Sequence, residues 1–293
     1  MLTVKLPGLR SPRTSLAPQA PLLLLGVALW LAAACSSEDL GESRGGFATN
    51  GDIELHYVVN LPEGAPPFPV VAIGQGSGNV RIDAGPTVAD VRALLDLGYA
   101  TIRYDKRGLG DSEGELIGVS TANSATTIPL LASDMTAVIE ATRSIEELDH
   151  DRLGLYGSSQ AAWYLPLVAA TAPGVDFLVI NSGGVIPVGQ QVRFEEAARV
   201  EDAPYPDAER AAANYTGPLG FDQRPLLRDL GIPLLYLWGE SDTAIPLTPN
   251  EAQLSELKTA GVDATQILYP DADHLLEDAD YWPDVADWLE SSD

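Results

Sequence analysis

The sequence predicts an α/β fold in which a mostly parallel β-sheet is covered by helices on both faces. Short apolar runs, typical of buried strands, alternate along the chain with longer segments of helical periodicity. One such run ends in Gly157-Ser158-Ser159-Gln160-Ala161, and helix-like sequence follows it at once. A Gly-x-Ser-x-Ala pattern in this position is typical of a sharp strand-to-helix turn that presents a serine hydroxyl above a sheet.

The predicted elements follow one another in a regular order. An alternating edge strand begins at Ile53, and a proline-rich turn over 62–69 leads into the next strand. The predicted strands cover 53–59, 70–73, 100–104, 153–156, 176–180, 232–238 and 266–269. The predicted helices cover 88–97, 127–148, the stretch directly after the Ser159 turn, 249–260 and 283–290. Residues 187–230 are polar and alanine-rich, and they predict a helical insertion above the strand ends.

The N-terminal segment predicts export from a bacterial cell. Three basic residues precede an apolar stretch that ends at Cys35 and is too short to span a bilayer comfortably. The block from Leu31 to Ser37 resembles a bacterial lipoprotein signal in which Cys35 is lipidated. The expected organisation is a signal peptide (1–34), a lipidated Cys35 with a flexible tether (35–50) and a folded domain (51–293) carrying the insertion. We expect a membrane-anchored lipoprotein, periplasmic or on the cell surface. Cleavage near Ala34 would instead give a secreted protein.

Composition narrows the classes of function. The net charge of −25 repels nucleic acid and anionic membrane surfaces, so neither is an expected partner, and membrane association would depend on the lipid anchor alone. A solvated acidic surface explains the charge, and a halophilic or calcium-rich habitat is the alternative. With one cysteine and three histidines, no metal cluster and no intramolecular disulfide are expected. We expect no cofactor, because the glycine-rich loop 74–78 lacks the Lys-Ser/Thr ending of a P-loop and the spacing of a dinucleotide fingerprint.

A serine nucleophile needs a base to take its proton and an acid to orient the base. His56 lies in the early edge strand and His150 in the turn before the strand that leads to Ser159. His274 lies in the loop after the last strand and is the histidine that follows Ser159 in the chain. The strand before the last ends with two carboxylates, of which Asp242 is the favoured acid and Glu240 the alternative.

Acyl transfer also needs two donors for the oxyanion that forms on the substrate. The backbone N–H of Gln160, at the start of the predicted helix, is the first candidate. The second is the backbone N–H of Ser77, in the glycine-rich loop after the strand 70–73.

The segment Asp105-Lys106-Arg107-Gly108-Leu109-Gly110-Asp111-Ser112 resembles the Asp-x-Arg-Gly-x-Gly-x-Ser signature of the α/β-hydrolase superfamily. The resemblance extends over about residues 51–293. Within the superfamily, the chain is most similar to serine esterase and lipase-like members of the dienelactone hydrolase or S9-like branch. It implies an α/β-hydrolase fold with a Ser159, Asp242 and His274 triad, and it makes the signature itself a structural turn beside the site. Gln75 stands where relatives usually have His, and Ala161 where they usually have Gly.

The resulting hypothesis is a serine hydrolase, a carboxylesterase, that cleaves small-molecule esters through an acyl-enzyme. The insertion, with Phe194, Tyr205, Tyr215 and Phe221, would form a lid over the acyl pocket, although packing between lid and domain explains the aromatic residues equally well. A peptidase, thioesterase or acyltransferase with the same triad is the alternative, as is a non-catalytic surface lipoprotein. A peptidase could bind a substrate amine through acids of the insertion, namely Glu195, Glu196, Glu201 and Asp202. The sequence makes no prediction of oligomeric state.

Overall fold

An eight-stranded β-sheet forms the centre of the computed structural model, which describes residues 40–276 and 279–292. Its spatial order is β1-β2-β4-β3-β5-β6-β7-β8. The strands are β1 (Ser43–Asn50), β2 (Ile53–Asn60), β3 (Phe68–Gly74), β4 (Ala100–Tyr104), β5 (Leu148–Ser158), β6 (Val175–Asn181), β7 (Leu234–Gly239) and β8 (Ala264–Tyr269). The β1–β2 and β2–β4 pairs are antiparallel, whereas the pairs from β4 to β8 are parallel. The predicted α/β fold is thereby confirmed.

Helices cover both faces of this sheet. They are α1 (Gly85–Asp96), α2 (Ser124–Thr142), α3 (Ala161–Thr171), α4 (Val188–Arg199), α5 (Tyr205–Ala213), α6 (Arg224–Asp229), α7 (Leu247–Thr259) and α8 (Trp282–Ser292). The apolar side chains of α1 and α8 form one core cluster with one face of the central strands. Those of α2, α3 and α7 form a larger cluster with the other face.

The central strands read as continuous apolar runs because both of their faces are buried. In β5, Leu153 and Leu155 pack into the cluster on the α2 and α3 side, whereas Tyr156 packs into the α1 and α8 cluster. Successive side chains of a strand point to opposite faces, so each face receives alternate residues. The parallel strands bring their carboxyl ends to one edge of the sheet, where loops can build a site.

The structure corrects the N-terminal boundary of the folded domain. The sequence predicts a flexible tether over 35–50, but Ser43–Asn50 form β1 and pair with β2 along their whole length. The polar, glycine-containing sequence of β1 lacks alternation, and its extended state depends on a hairpin closed by the two residues Gly51 and Asp52. The expectations for residues 1–34 and for Cys35 lie outside the described residues.

Two other element boundaries differ from those that the sequence predicts. The helix expected over 127–148 ends at Thr142, and β5 begins at Leu148 instead of at residue 153. His150 therefore lies in β5 rather than in a turn, and its Nε2 is 3.1 Å from the backbone oxygen of Thr142. Both differences arise because the early part of β5 pairs with β3. The local sequence pattern cannot predict this pairing between distant segments.

The segment 187–230 contributes α4, α5 and α6, and the structure places no strand in it. Phe194 and Ala197 of α4 pack against Ala208 and Ala212 of α5 in a small apolar cluster of their own. Helices α4 and α5 thus pack against each other as a pair. Leu227 of α6 instead joins the main core. None of the helices in residues 40–276 and 279–292 combines the length and apolarity needed to cross a bilayer.

Candidate active site

Ser159 lies at the turn between β5 and α3, with its backbone in a left-handed conformation at a φ of 51°. Residues other than glycine rarely adopt this conformation, which costs them about 1–2 kcal/mol. The turn is held by a hydrogen bond of 2.9 Å from the Ser159 N–H to the backbone oxygen of Asn181, on the neighbouring strand β6. The side chain is thereby lifted above the sheet edge, as the Gly-x-Ser-x-Ala pattern predicts.

Small residues make room for this turn. A Cβ atom on Gly157 would lie 2.6 Å from the Cβ atom of Ala161, and one on Gly74 would lie 3.2 Å from the same methyl. Ala161 itself is completely buried. Its methyl group therefore fills the space that these two glycines leave open, which explains how the turn accommodates Ala where relatives usually have Gly.

His274 connects the serine to a buried acid. Its Nε2 lies 3.1 Å from Ser159 Oγ, and its Nδ1 lies 2.8 Å from Asp242 Oδ2. A carboxylate only accepts hydrogen bonds, so the imidazole proton belongs on Nδ1, which leaves Nε2 free to accept the serine proton. Asp242 comes from the loop after β7 and His274 from the loop after β8, the two strands at one end of the sheet.

Asp242 is fixed by a complete set of donors. Its side chain is fully buried, and its Oδ1 accepts backbone N–H bonds from Ala244 at 2.7 Å and Ile245 at 3.2 Å. Each carboxylate oxygen thus has a defined partner, which holds the orientation of the His274 ring. Glu240, the alternative acid, is exposed on the protein surface.

The other histidines lie away from Ser159. His56 in β2 has its Nδ1 3.3 Å from Asp105 Oδ2. His150 is buried at the start of β5. Neither lines the cavity in which Ser159 lies, so His274 is the histidine that the structure brings to the serine.

A cavity of about 580 Å³ surrounds Ser159 and His274, and we refer to it as the large cavity to distinguish it from a smaller cavity that shares part of its lining. Ser77 and Gln160, the two residues expected to donate to the oxyanion, both line it. Within the described part of the chain, the backbone N–H groups of Ser77 and Gln160 have no hydrogen-bond partner. Both donors are therefore available to a substrate carbonyl oxygen. A side cavity of about 290 Å³ is also lined by Ser77 and Gln160.

Gln75, which replaces the usual His, supports the oxyanion loop in a different way. Its buried side chain donates from Nε2 to the backbone oxygen of Tyr104 at 2.9 Å. Its own backbone oxygen accepts from the Tyr164 hydroxyl of α3 at 3.1 Å. The loop is thus attached both to the end of β4 and to the helix that follows Ser159.

The insertion contributes polar rather than aromatic groups to the site. Gln191, Glu195 and Arg199 of α4 line the large cavity. The four aromatic residues of the insertion pack elsewhere. Phe194 and Tyr205 pack edge to face at 5.5 Å between ring centroids. Tyr215 lies against Gly217 and Phe221 against the main core. Of the two roles left open for these aromatic residues, the structure therefore supports packing of the insertion rather than contact with a substrate.

Of the acids proposed for a substrate amine, only Glu195 reaches the large cavity. Glu196 and Glu201 pair with Arg193 outside it, and Asp202 is an exposed residue with a φ of 53°.

Asp90 of α1 also lines the large cavity, although no sequence motif marks it. The hydroxyls of Tyr156 and Tyr281 each donate to its Oδ1 at 3.0 Å. Burial raises the pKa of Asp90 to about 7, against the smaller lowering effect of the two hydroxyls. Acidic residues with a strongly shifted pKa are often found in functional cavities. Among the described residues, no cluster of His, Cys, Asp and Glu is placed to hold a metal ion.

Comparison with known proteins agrees with this fold. The model of the X-Pro dipeptidyl-peptidase (S15) family matches residues 50–214, more than half of the chain. Fold and site define a member of the α/β-hydrolase superfamily, as the sequence motif predicted. Within that superfamily, the chain belongs to the S15 family.

Solved structures show the same fold at low sequence identity. The Pyrococcus furiosus esterase Pf2001 has a TM-score of 0.66 at 17% identity, covering 87% of this chain and 92% of that one. The 2,6-dihydroxy-pseudo-oxynicotine hydrolase has a TM-score of 0.61 at 19% identity, covering 85% and 68%. Pyrococcus horikoshii acylaminoacyl peptidase has a TM-score of 0.65 at 13% identity, covering 85% and 41%.

Among curated proteins, a 31.7 kDa protein of Escherichia coli, from the traX–finO intergenic region, is 28% identical over 142 residues. The match covers 47% of this chain and 46% of that protein, so the chain spans about half the length of the curated relatives it matches.

Proposed function

We propose that this protein is a serine hydrolase that cleaves small carboxylic esters. The observation that carries the proposal is the hydrogen-bonded series Ser159 Oγ, His274 and Asp242, with distances of 3.1 and 2.8 Å, on a strained turn beside two free backbone N–H groups. This arrangement matches the needs of nucleophilic acyl transfer at each position.

The proposed reaction has two halves. Ser159 Oγ attacks the ester carbon while its proton moves to His274 Nε2, and the N–H groups of Ser77 and Gln160 bind the developing oxyanion. Collapse of this intermediate breaks the bond to the alcohol, which leaves with the proton from His274. Water then adds to the acyl-enzyme, giving its proton to His274, and collapse releases the carboxylic acid as Ser159 regains a proton.

A test of the proposal compares three variants on p-nitrophenyl acetate and butyrate. Ser159→Ala should abolish turnover. Asp242→Asn should lower kcat by about 10³–10⁴-fold, because the amide no longer fixes the imidazole tautomer. Glu240→Gln is the matched control and should behave as the unaltered protein, because Glu240 is exposed. Turnover that survives in Ser159→Ala, or equal losses in both carboxylate variants, would contradict the proposal.

A second candidate is a peptidase, supported by the family match and by two acids in the large cavity. Asp90 and Glu195 both line the cavity that contains Ser159 and could bind a protonated substrate amine. A panel of X-Pro-p-nitroanilides, each with a free and an acetylated N-terminus, separates the two candidates. Turnover confined to the free amines, and lowered by Glu195→Gln, would favour the peptidase. Turnover of the p-nitrophenyl esters without turnover of any anilide would favour the carboxylesterase.

We also propose that the chain is an exported lipoprotein with Cys35 as its lipidated N-terminus. The support is the basic and apolar sequence that precedes this single cysteine. Labelling of cells with a palmitate analogue should mark the unaltered chain and spare Cys35→Ser. Equal labelling of both would contradict lipidation at Cys35.

A further inference from the structure

The loop that carries Ser77 is attached to a lysine from the neighbouring strand end. Strands β3 and β4 are parallel neighbours, so the loops that follow them lie side by side at one edge of the sheet. Lys106 follows β4, and its Nζ donates to the backbone oxygens of Gly76 at 2.6 Å and Gly78 at 3.0 Å. The lysine is 1% exposed, so water cannot readily replace these contacts. One buried ammonium thus joins both sides of Ser77.

The contact with Gly76 determines where the Ser77 N–H points. The Gly76 oxygen and the Ser77 N–H belong to one trans peptide group, in which the C=O and N–H bonds point in opposite directions. With the oxygen directed at Lys106, the N–H is directed away from it. A Cβ atom on Gly76 would lie 3.3 Å from the Cβ atom of Ser159, so this peptide borders the nucleophile. A flipped peptide would present an oxygen to the substrate oxyanion in place of a donor.

The charge of Lys106 is not neutralised by an acid. Its sequence neighbours are directed elsewhere, with Asp105 near His56 and Arg107 paired with Asp134. Glu195 of α4 lines the side cavity together with Lys106 and accepts from Gln191. Within the part of the chain that the structure describes, Lys106 has no ion pair. The ammonium therefore polarises the peptide carbonyls that it contacts, which strengthens the Ser77 N–H as a donor.

We propose that Lys106 is a positioning residue for the oxyanion hole, with its ammonium fixing and polarising the Gly76–Ser77 peptide so that the Ser77 N–H faces the reacting carbonyl. This inference rests on the proposed hydrolytic function. It gives the Asp-x-Arg-Gly turn, for which the family resemblance implies a structural role, a part in transition-state stabilisation. The hole would work only while Lys106 is protonated. Burial lowers the pKa of Lys106 to about 8, which places its titration within an accessible pH range.

The first experiment measures ester hydrolysis against pH for Lys106→Met, Lys106→Arg and the control Lys258→Met. Lys258 is exposed in the last turn of α7 and serves as a matched loss of one lysine charge. The unaltered protein should lose kcat/KM as pH rises through about 8. Lys106→Met should have a kcat about 10²-fold lower, with KM little changed and without this alkaline limb. Lys106→Arg should retain part of the activity and move the limb to higher pH. Lys258→Met should match the unaltered protein.

Other ionisable groups also face this region. Asp90 from α1 and His274 from the loop after β8 line the large cavity, as does Arg199 from α4, while Glu195 lines both cavities. The pKa of Asp90 is about 7, so its change of charge belongs to a lower part of the profile than that of Lys106. An alkaline limb that persists unchanged in Lys106→Met, or a Lys106→Met enzyme with full kcat, would overturn the inference.

The second experiment does not require turnover. The chain contains three lysines, Lys5, Lys106 and Lys258, so ¹³Cε-lysine labelling of the full chain gives few signals, and Lys258→Met helps to assign them. One signal should titrate near pH 8 and disappear in Lys106→Met. In the unaltered protein, the ¹⁵N resonance of Ser77 should follow the same titration. If the ¹⁵N chemical shift of Ser77 does not change over the pH range in which the lysine titrates, the inference is overturned even if esters are hydrolysed. If Ser159→Ala instead retains turnover, the proposed function fails while this measurement still decides the role of Lys106.

Discussion

At the scale of single residues, Asp90 shows how one carboxyl group can shape the pH dependence of the fold. Its Oδ1 accepts hydrogen bonds from the hydroxyls of Tyr156 and Tyr281. The side-chain amide of Asn181 donates in turn to the Tyr156 hydroxyl at 3.1 Å. Despite these donors, burial dominates and raises the pKa of Asp90 to about 7 from its ordinary value of 3.8. The folded state therefore binds a proton more tightly than the unfolded state between these two values.

The sign of the resulting pH effect follows from this difference. A carboxyl group with a raised folded-state pKa contributes its full stability below pH 4, and that contribution is lost as pH rises through about 7. Asp90→Asn keeps the Oδ1 acceptor and removes the ionisation. We expect the variant to be more stable than the unaltered protein at pH 8, by about 1–2 kcal/mol, less than the full shift implies because Asp90 borders the cavity. The difference should vanish near pH 4.

Urea unfolding of both proteins at pH 4, 6 and 8 provides the measurement. The control is Asp271→Asn, since Asp271 is an exposed acid of the loop before His274. A variant that gains nothing between pH 4 and pH 8, or gains no more than the control, would show that Asp90 does not carry this energetic cost.

At the scale of elements, the turn from β5 into α3 depends on a fit between glycines and one methyl group. A Cβ atom on Gly157 would meet both Ala161 Cβ and Leu165 Cδ1 at 2.6 Å. We expect Gly157→Ala to destabilise the fold by about 1–3 kcal/mol, because buried positions tolerate overpacking poorly. Ala161→Gly should recover part of that loss in the double variant, through a coupling energy of about 1 kcal/mol.

A double-mutant cycle by denaturant unfolding measures this coupling. Gly118→Ala is the matched control, because a Cβ atom there meets no other atom within 4 Å and its φ is not in the left-handed region. That substitution should leave the unfolding midpoint almost unchanged. Strict additivity of Gly157→Ala and Ala161→Gly would mean that the methyl group and the glycine do not share the space that the geometry assigns them.

The elements also show which parts of the site can be predicted from sequence. Ser159, Asp242 and His274 each follow a strand with a strong local apolar pattern, and parallel strands bring their carboxyl ends to one edge. Local pattern and chain order are therefore sufficient to nominate them. The sequence does not predict β1, because the extended state of this strand comes from pairing with β2 rather than from its own residues.

The contacts of Lys106 and Asp90 depend instead on which elements become neighbours. Lys106 reaches Gly76 because β4 lies beside β3, and Asp90 meets Tyr156 and Tyr281 because α1 and α8 share one face of the sheet. Strand order and helix placement are properties of the complete fold. A pattern of residues within one segment does not contain them, so both side chains resemble ordinary polar positions in the sequence.

At the scale of the whole molecule, the net charge of −25 implies self-repulsion in the folded state. Exposed ion pairs offset little of it, because such pairs contribute at most about 1 kcal/mol each. We expect the thermal midpoint to rise by several degrees as NaCl increases from about 10 to 150 mM, since the screening length falls from roughly 30 to 8 Å. KCl should have the same effect at equal ionic strength, because screening depends on charge and concentration. Calcium at sub-millimolar concentration, which hardly alters ionic strength, should have little effect. A thermal midpoint that rises with calcium but does not change with NaCl would contradict general self-repulsion. It would indicate specific ion sites among the acidic residues.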